Sequence, residues 1–140
     1  SPSSVVDGTA AHVVREAARR VVLEITEHIE IESYTAVRRA IRDCPGVRIA
    51  VDDAGAGFSS LRHILELRPD YVKIDIGLVR DIDTDPARQA LAAGLRHFCT
   101  RTHTVMIAEG VERQEEAAML RELGVDLAQG YLYGHPARLP

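Results

Sequence analysis

The stretch Val47-Arg48-Ile49-Ala50-Val51-Asp52-Asp53-Ala54-Gly55-Ala56-Gly57-Phe58-Ser59-Ser60-Leu61 decides the fold. Its first five residues, apolar but for Arg48 and rich in β-branched side chains, read as a strand. Two carboxylates follow at once. Gly55 and Gly57 then let the chain bend, and Ser59 is expected to cap a helix running through Leu67. A strand that closes in polar groups and turns directly into a helix is a βα unit, and such units carry their reactive groups at the carboxyl end of the strand.

The same unit recurs on both sides. Upstream, a helix around Ala10 to Arg20 leads into Val21-Val22-Leu23-Glu24-Ile25, an apolar run expected to form a strand covered on both faces. Ile31 to Asp43 has helical spacing at Tyr34, Val37, Ala40 and Ile41, and Pro45-Gly46 stops it. Downstream, Tyr71 to Ile74 is a strand, and Pro86 opens a helix reaching about Thr100. Val105 to Ala108 is a strand, Gln114 to Leu123 a helix ended by Gly124, and Val125 to Ala128 the last strand. Five apolar strands alternating with helices predict an α/β fold with a parallel sheet, either doubly wound or a (β/α)8 TIM-type barrel. A complete barrel takes roughly 250 residues and five of its units roughly 150. The 140 residues here would therefore hold about the last five β/α units.

Composition narrows the function classes. The chain is 46% hydrophobic, 27% charged and 4% aromatic, the content of one globular domain. No run approaches the roughly 18 apolar residues of a membrane span, and no basic-then-apolar leader is present, so neither membrane contact nor secretion is expected. The numbering is expected to begin inside a longer parent. With 17 basic against 21 acidic side chains, the net charge of -4 disfavours a nucleic acid polymer as partner. Cys44 and Cys99 stand 55 positions apart at no metal or redox spacing, and read as buried free thiols in a cytoplasmic protein. The six histidines form no zinc spacing.

The strand ends are mostly acidic: Glu24 on the first, Asp52-Asp53 on the second, Lys73 and Asp75 on the third, Glu109 on the fourth, with Gln129 after the fifth. Any one acid could serve only as a helix cap. Together they are costly unless a cation lies between them, and all-oxygen ligands suit Mg2+ or Mn2+. Adjacent carboxylates such as Asp52-Asp53 can reach two metals, the arrangement that supports in-line phosphoryl transfer. Lys73, the single lysine among the basic side chains, lies on a buried strand, where it either orients a water or phosphate or forms a structural ion pair.

Leu23-Glu24-Ile25-Thr26-Glu27, Asp52 to Leu61, Val72-Lys73-Ile74-Asp75, Ile107-Ala108-Glu109-Gly110-Val111-Glu112 and Gln129-Gly130-Tyr131, in that order, resemble the EAL domain family. The resemblance runs over the whole chain. It implies a (β/α)8 barrel that uses two Mg2+ or Mn2+ ions to hydrolyse cyclic di-GMP to linear pGpG. It further implies that Glu24, Asp52, Asp53 and Glu109 are metal ligands, with Asp52 bridging. By the same resemblance Lys73 holds the water with Gln129 beside it, and Glu27 and Glu112 are supporting acids, Glu27 anchoring the loop after Asp53.

This chain departs from the family pattern at several points. The Glu-Ala-Leu signature and a metal-binding Asn that precedes a Ser-Pro such as Ser1-Pro2 are absent, so two ligands of the first metal lie outside residues 1–140. The segment from Ser1 to Glu24 is shorter than usual. Ala54, Ala56 and Phe58 stand where the family has Phe, Thr and Tyr, in a loop that serves dimerisation there. The expectation is a partial EAL-like domain, part of a cyclic di-GMP phosphodiesterase and inactive in isolation. The alternative is a non-catalytic module that binds cyclic di-GMP or a protein partner in signalling. Self-association through exposed barrel edges is also expected.

Overall fold

The computed structural model describes residues 21–26, 28–54 and 57–136. The helix expected around Ala10 to Arg20 lies outside them. The chain divides into two compact units, residues 1–72 and 73–140, with the boundary inside a strand.

In the first unit, β1 (Val21–Ile25) pairs in parallel with β2 (Val47–Val51) along its whole length, Val21 opposite Val47 through Ile25 opposite Val51. β2 in turn pairs with β3 (Tyr71–Ile74), Ala50 opposite Tyr71 and Val51 opposite Val72. Between them, α1 (Tyr34–Arg42) is capped by Ser33, whose hydroxyl accepts from the Ala36 N–H at 3.2 Å. It turns Val37 inward. α2 (Phe58–Leu67) brings Ile64 and Leu67 into a core with Ile25, Ile49, Val51 and Val72. Each such side chain contributes about 1.5–3 kcal/mol when fully buried. β1 is not covered on both faces: Val22 is 45% exposed and Glu24 is exposed. Its residues alternate between a packed and an open face, a pattern that a run of apolar letters hides.

The helix after Asp52-Asp53 starts one residue before the expected cap. Gly57 is the N-cap, and no side chain caps the helix there. Ser60, rather than Ser59, turns back, its hydroxyl donating to the Gly57 carbonyl at 2.8 Å.

The second unit takes over within β3 and continues with β4 (Val105–Ala108) and β5 (Leu127–Ala128), again parallel, Ile107 opposite Leu127 and Ala108 opposite Ala128. A short helix that the sequence reading lacks, α3 (Ile76–Val79), follows β3 directly. Asp75 caps it, accepting from Gly77 N at 2.9 Å and Leu78 N at 3.3 Å, so this strand-end acid is a cap. α4 (Pro86–Thr102) begins with Pro in its first turn behind the Asp85 cap, and it ends at His103 in the left-handed region. α5 (Gln114–Glu122) precedes β5. Ile74, Ile82, Met106, Val111 and Leu120 fill the core. Cys99 on α4 is fully buried, and desolvation pushes its thiol up to about 11; Cys44 in the first unit is buried too. Among the described residues, no helix is long and apolar enough to cross a membrane.

Candidate functional site

Each unit carries its own share of the expected site. In the first, Glu24 stands on β1 opposite Ala50. Asp52 leaves β2 with its N–H donating to the Ile25 carbonyl at 2.9 Å, which carries the parallel ladder one residue past the strand end. Asp53 then adopts φ +54°, and its N–H donates to Asp52 Oδ1 at 3.0 Å. Left-handed backbone costs an ordinary residue about 1–2 kcal/mol, less for Asp or Asn. Aspartate tolerates this region better than most residues, and Asp81, Arg68 and His103 adopt it as well. Glu27, expected to anchor the following loop, lies outside the described residues.

In the second unit three of the four expected residues meet. Lys73 is only 8% exposed, and its Nζ lies 2.9 Å from Glu109 Oε1. Gln129 Nε2 donates to the same oxygen. The ends of β3, β4 and β5 are laced together around them: Glu109 N donates to Ile74 O at 3.0 Å, Gln129 N to Ala108 O at 2.8 Å, and Val111 N to Gln129 O at 3.1 Å. Gly130 makes this approach feasible, since a Cβ there would lie 2.2 Å from the Val111 carbonyl oxygen. Gly110, at φ +68°, likewise leaves room for Ile76, which a Cβ would meet at 2.7 Å.

Glu112 does not join that cluster but pairs with Arg80 at 3.0 Å. Its loop is braced from below by Glu116, 2% exposed, whose carboxylate accepts from the N–H groups of Glu112 at 3.2 Å, Arg113 at 3.1 Å and Asp81 at 3.2 Å. Burial pushes the Glu116 carboxyl up. The three backbone donors and the Arg113 guanidinium outweigh that and hold it below the usual range. Glu109, Glu112 and Gln129 line an open cleft of about 560 Å³ with Ile76, Tyr131 and His135. The rings of Tyr131 and His135 stack there, 4.4 Å between centroids. The sequence reading did not single out Ile76 or His135. The one available signal was the glycine pair at 130 and 134, both of which take a positive φ in the turn that carries Tyr131 and His135.

The carboxylates are hard oxygen donors of the type that Mg2+ and Mn2+ take. Among the described residues, however, no three Asp, Glu, His or Cys side chains form a group that could hold a metal ion. The donor chemistry fits a divalent ion, and the expected donors are divided between the two units, Glu24, Asp52 and Asp53 in the first and Glu109 in the second.

The EAL domain family matches residues 3–136. The chain belongs to the EAL domain family. Among curated EAL relatives, the probable cyclic di-GMP phosphodiesterase PdeD of Escherichia coli is 35% identical over 93% of this chain and 24% of its own length. The cyclic di-GMP phosphodiesterase NbdA of Pseudomonas aeruginosa is 32% identical over 88% of this chain and 16% of its length. Thus the chain spans about a quarter or less of these relatives. Of solved EAL structures, the manganese and cy-diGMP complex of Klebsiella pneumoniae BlrP1 superposes with a TM-score of 0.83 at 33% identity, covering 97% of this chain and 37% of that one. The EAL domain of Mycobacterium smegmatis DcpA superposes at 0.84 and 30% identity, covering 96% and 65%. The fold is accordingly α/β of the (β/α)8 TIM-barrel type, represented by five parallel strands.

Proposed function

We propose that this chain supplies the carboxyl-terminal part of a cyclic di-GMP phosphodiesterase domain, and that residues 1–140 alone do not turn over substrate. One observation carries the reading: Lys73 and Gln129 both point a donor at Glu109 Oε1 at the carboxyl end of their strands. A buried ammonium and an amide fixed on one carboxylate form a preorganised polar set, able to orient a water against a phosphodiester. Relatives named as cyclic di-GMP phosphodiesterases, and a relative solved with cy-diGMP, support the substrate class. Glu24, Asp52, Asp53 and Glu109 are the residues proposed to contribute to Mg2+ or Mn2+ binding, with further ligands from the Glu-Ala-Leu strand and its Asn. Glu112 and Glu27 are proposed as supporting acids. The setting proposed is cytoplasmic, in keeping with two buried free thiols.

The test compares this chain with a polypeptide in which the Glu-Ala-Leu strand and the Asn precede it, both supplied with Mn2+ and cyclic di-GMP. Chromatography is expected to show pGpG from the longer protein and none from the chain alone. There Lys73→Ala should lower kcat by about a hundredfold or more and change KM less, as expected of a group that matters most in the transition state. Binding without hydrolysis by the longer protein would establish the non-catalytic alternative instead. Self-association of the isolated chain is proposed as well, because Val22 on β1 and Leu127 on β5 are 45% and 52% exposed. Light scattering giving a concentration-independent mass of 15.4 kDa would exclude it.

A further inference from the structure

Two aspartates outside the site repeat one construction. The β4–β5 ladder begins at Ile107 opposite Leu127, so Met106 stands across from Asp126, one residue before pairing starts. Asp126 Oδ2 accepts the Met106 N–H at 2.8 Å and also holds Arg96 at 2.7 Å. The β2–β3 ladder begins at Ala50 opposite Tyr71, so Ile49 stands across from Asp70. Asp70 Oδ2 accepts the Ile49 N–H at 3.0 Å, while its other oxygen holds Arg48 at 2.5 Å. In both places a carboxylate accepts an N–H of the neighbouring strand just ahead of the paired residues, and at Asp70 the backbone N–H also donates to the Ile49 carbonyl at 3.0 Å. In both, the third residue onward is a donor to Glu109: Lys73 after Asp70 and Gln129 after Asp126.

We propose that Asp126 is a positioning residue that locks the register of β5 on β4 so that Gln129, three residues later, meets Glu109. Strand side chains alternate between faces, so a slip of one residue carries every side chain to the opposite face. β5 is only two residues long, and two ladder pairs resist such a slip weakly. A carboxylate bound to a partner N–H and clamped by a guanidinium adds a third fixed point at the start of the strand. The functional meaning of this device rests on the proposed role of the Lys73, Glu109 and Gln129 set. Its geometry does not.

The side-chain amide of Gln129, observed by 15N NMR in the full chain and assigned with Gln129→Ala, tests the lock with no substrate present. Asp126→Ala is expected to move that signal to the position of a solvated glutamine and to lower its exchange protection about tenfold or more. Asp126→Asn keeps an oxygen for the Met106 N–H and is expected to retain the wild-type signal. Arg96→Ala, which removes only the clamp, should lie between them. A folded Asp126→Ala protein with the Gln129 signal unmoved would overturn the proposal. Should Asp126→Ala not fold, Asp126→Glu keeps the charge but displaces the acceptor by one methylene, and an unmoved Gln129 signal there would overturn it equally. A moved Gln129 signal with turnover unchanged in the longer protein would instead leave the lock standing and count against the proposed role of the Lys73, Glu109 and Gln129 set.

Discussion

The turn after β2 and the turn after β4 solve one problem in opposite ways. Both must reverse the chain at a strand end while presenting carboxylates. After β2 the sharp backbone is borne by Asp53 itself, at φ +54°, with its N–H tied to Asp52. After β4 the sharp positions fall on Gly110 and on Gly130 beyond the end of β5, and Glu109 is free of backbone strain while Lys73 and Gln129 hold its side chain. After β2 the tight position carries a side chain and keeps its strain. Where backbone must approach backbone, the side chain is dispensed with.

Gly130→Ala should do the most damage. Its Cβ would meet the Val111 backbone at 2.2 Å, and a loss of about 3 kcal/mol or more is expected, read as a lowered denaturation midpoint. Lys73→Met comes next: it leaves Glu109 without its ammonium partner in a largely buried place, at about 2–3 kcal/mol by the same measurement. A loss as small as that of an exposed pair such as Arg80 with Glu112, below about 1 kcal/mol, would mean that the two turns do not differ in how they hold their acids.

A smaller effect is expected from His63, which is buried on α2 with its Nδ1 2.9 Å from the Tyr34 hydroxyl. Desolvation holds its imidazole below the usual value, against the raising influence of the Ile29 carbonyl. Folding therefore favours the neutral ring. The stability this contributes is fully present above the ordinary histidine value of about 6.5 and is lost as pH falls below it. Denaturation midpoints at pH 8 and 5.5 should fall with acid, and His63→Phe should flatten that fall. The smallest change belongs to Asp53→Gly, which removes the left-handed strain and should alter stability by about 1 kcal/mol or less, in the stabilising direction. A large loss there would show that Asp53 is held by more than local conformation.

Much of this was legible in the residues. The strands could be read because β-branched apolar runs such as Val47 to Val51 have few other uses, and Lys73 because a lone ammonium on such a run needs an acid nearby. Glu109 is that acid. The four-residue α3 is too short to show a period, so its cap, Asp75, looked like one more strand-end acid. β5 starts at Leu127 and not at Val125, since Asp126 contributes its side chain rather than its backbone to the ladder. The brace at Glu116 depends on N–H groups from two loops more than 30 residues apart, which no local pattern foretells.

The two cysteines have a practical consequence. Cys44 lies in the first unit and Cys99 in the second, and both are buried. A thiolate is the form that alkylating reagents attack, and a thiol held near 11 has almost none at neutral pH. Cys99 can then be labelled only while its surroundings are open. Counting label on Cys99 by mass spectrometry over time therefore gives the second unit an internal clock of its own opening.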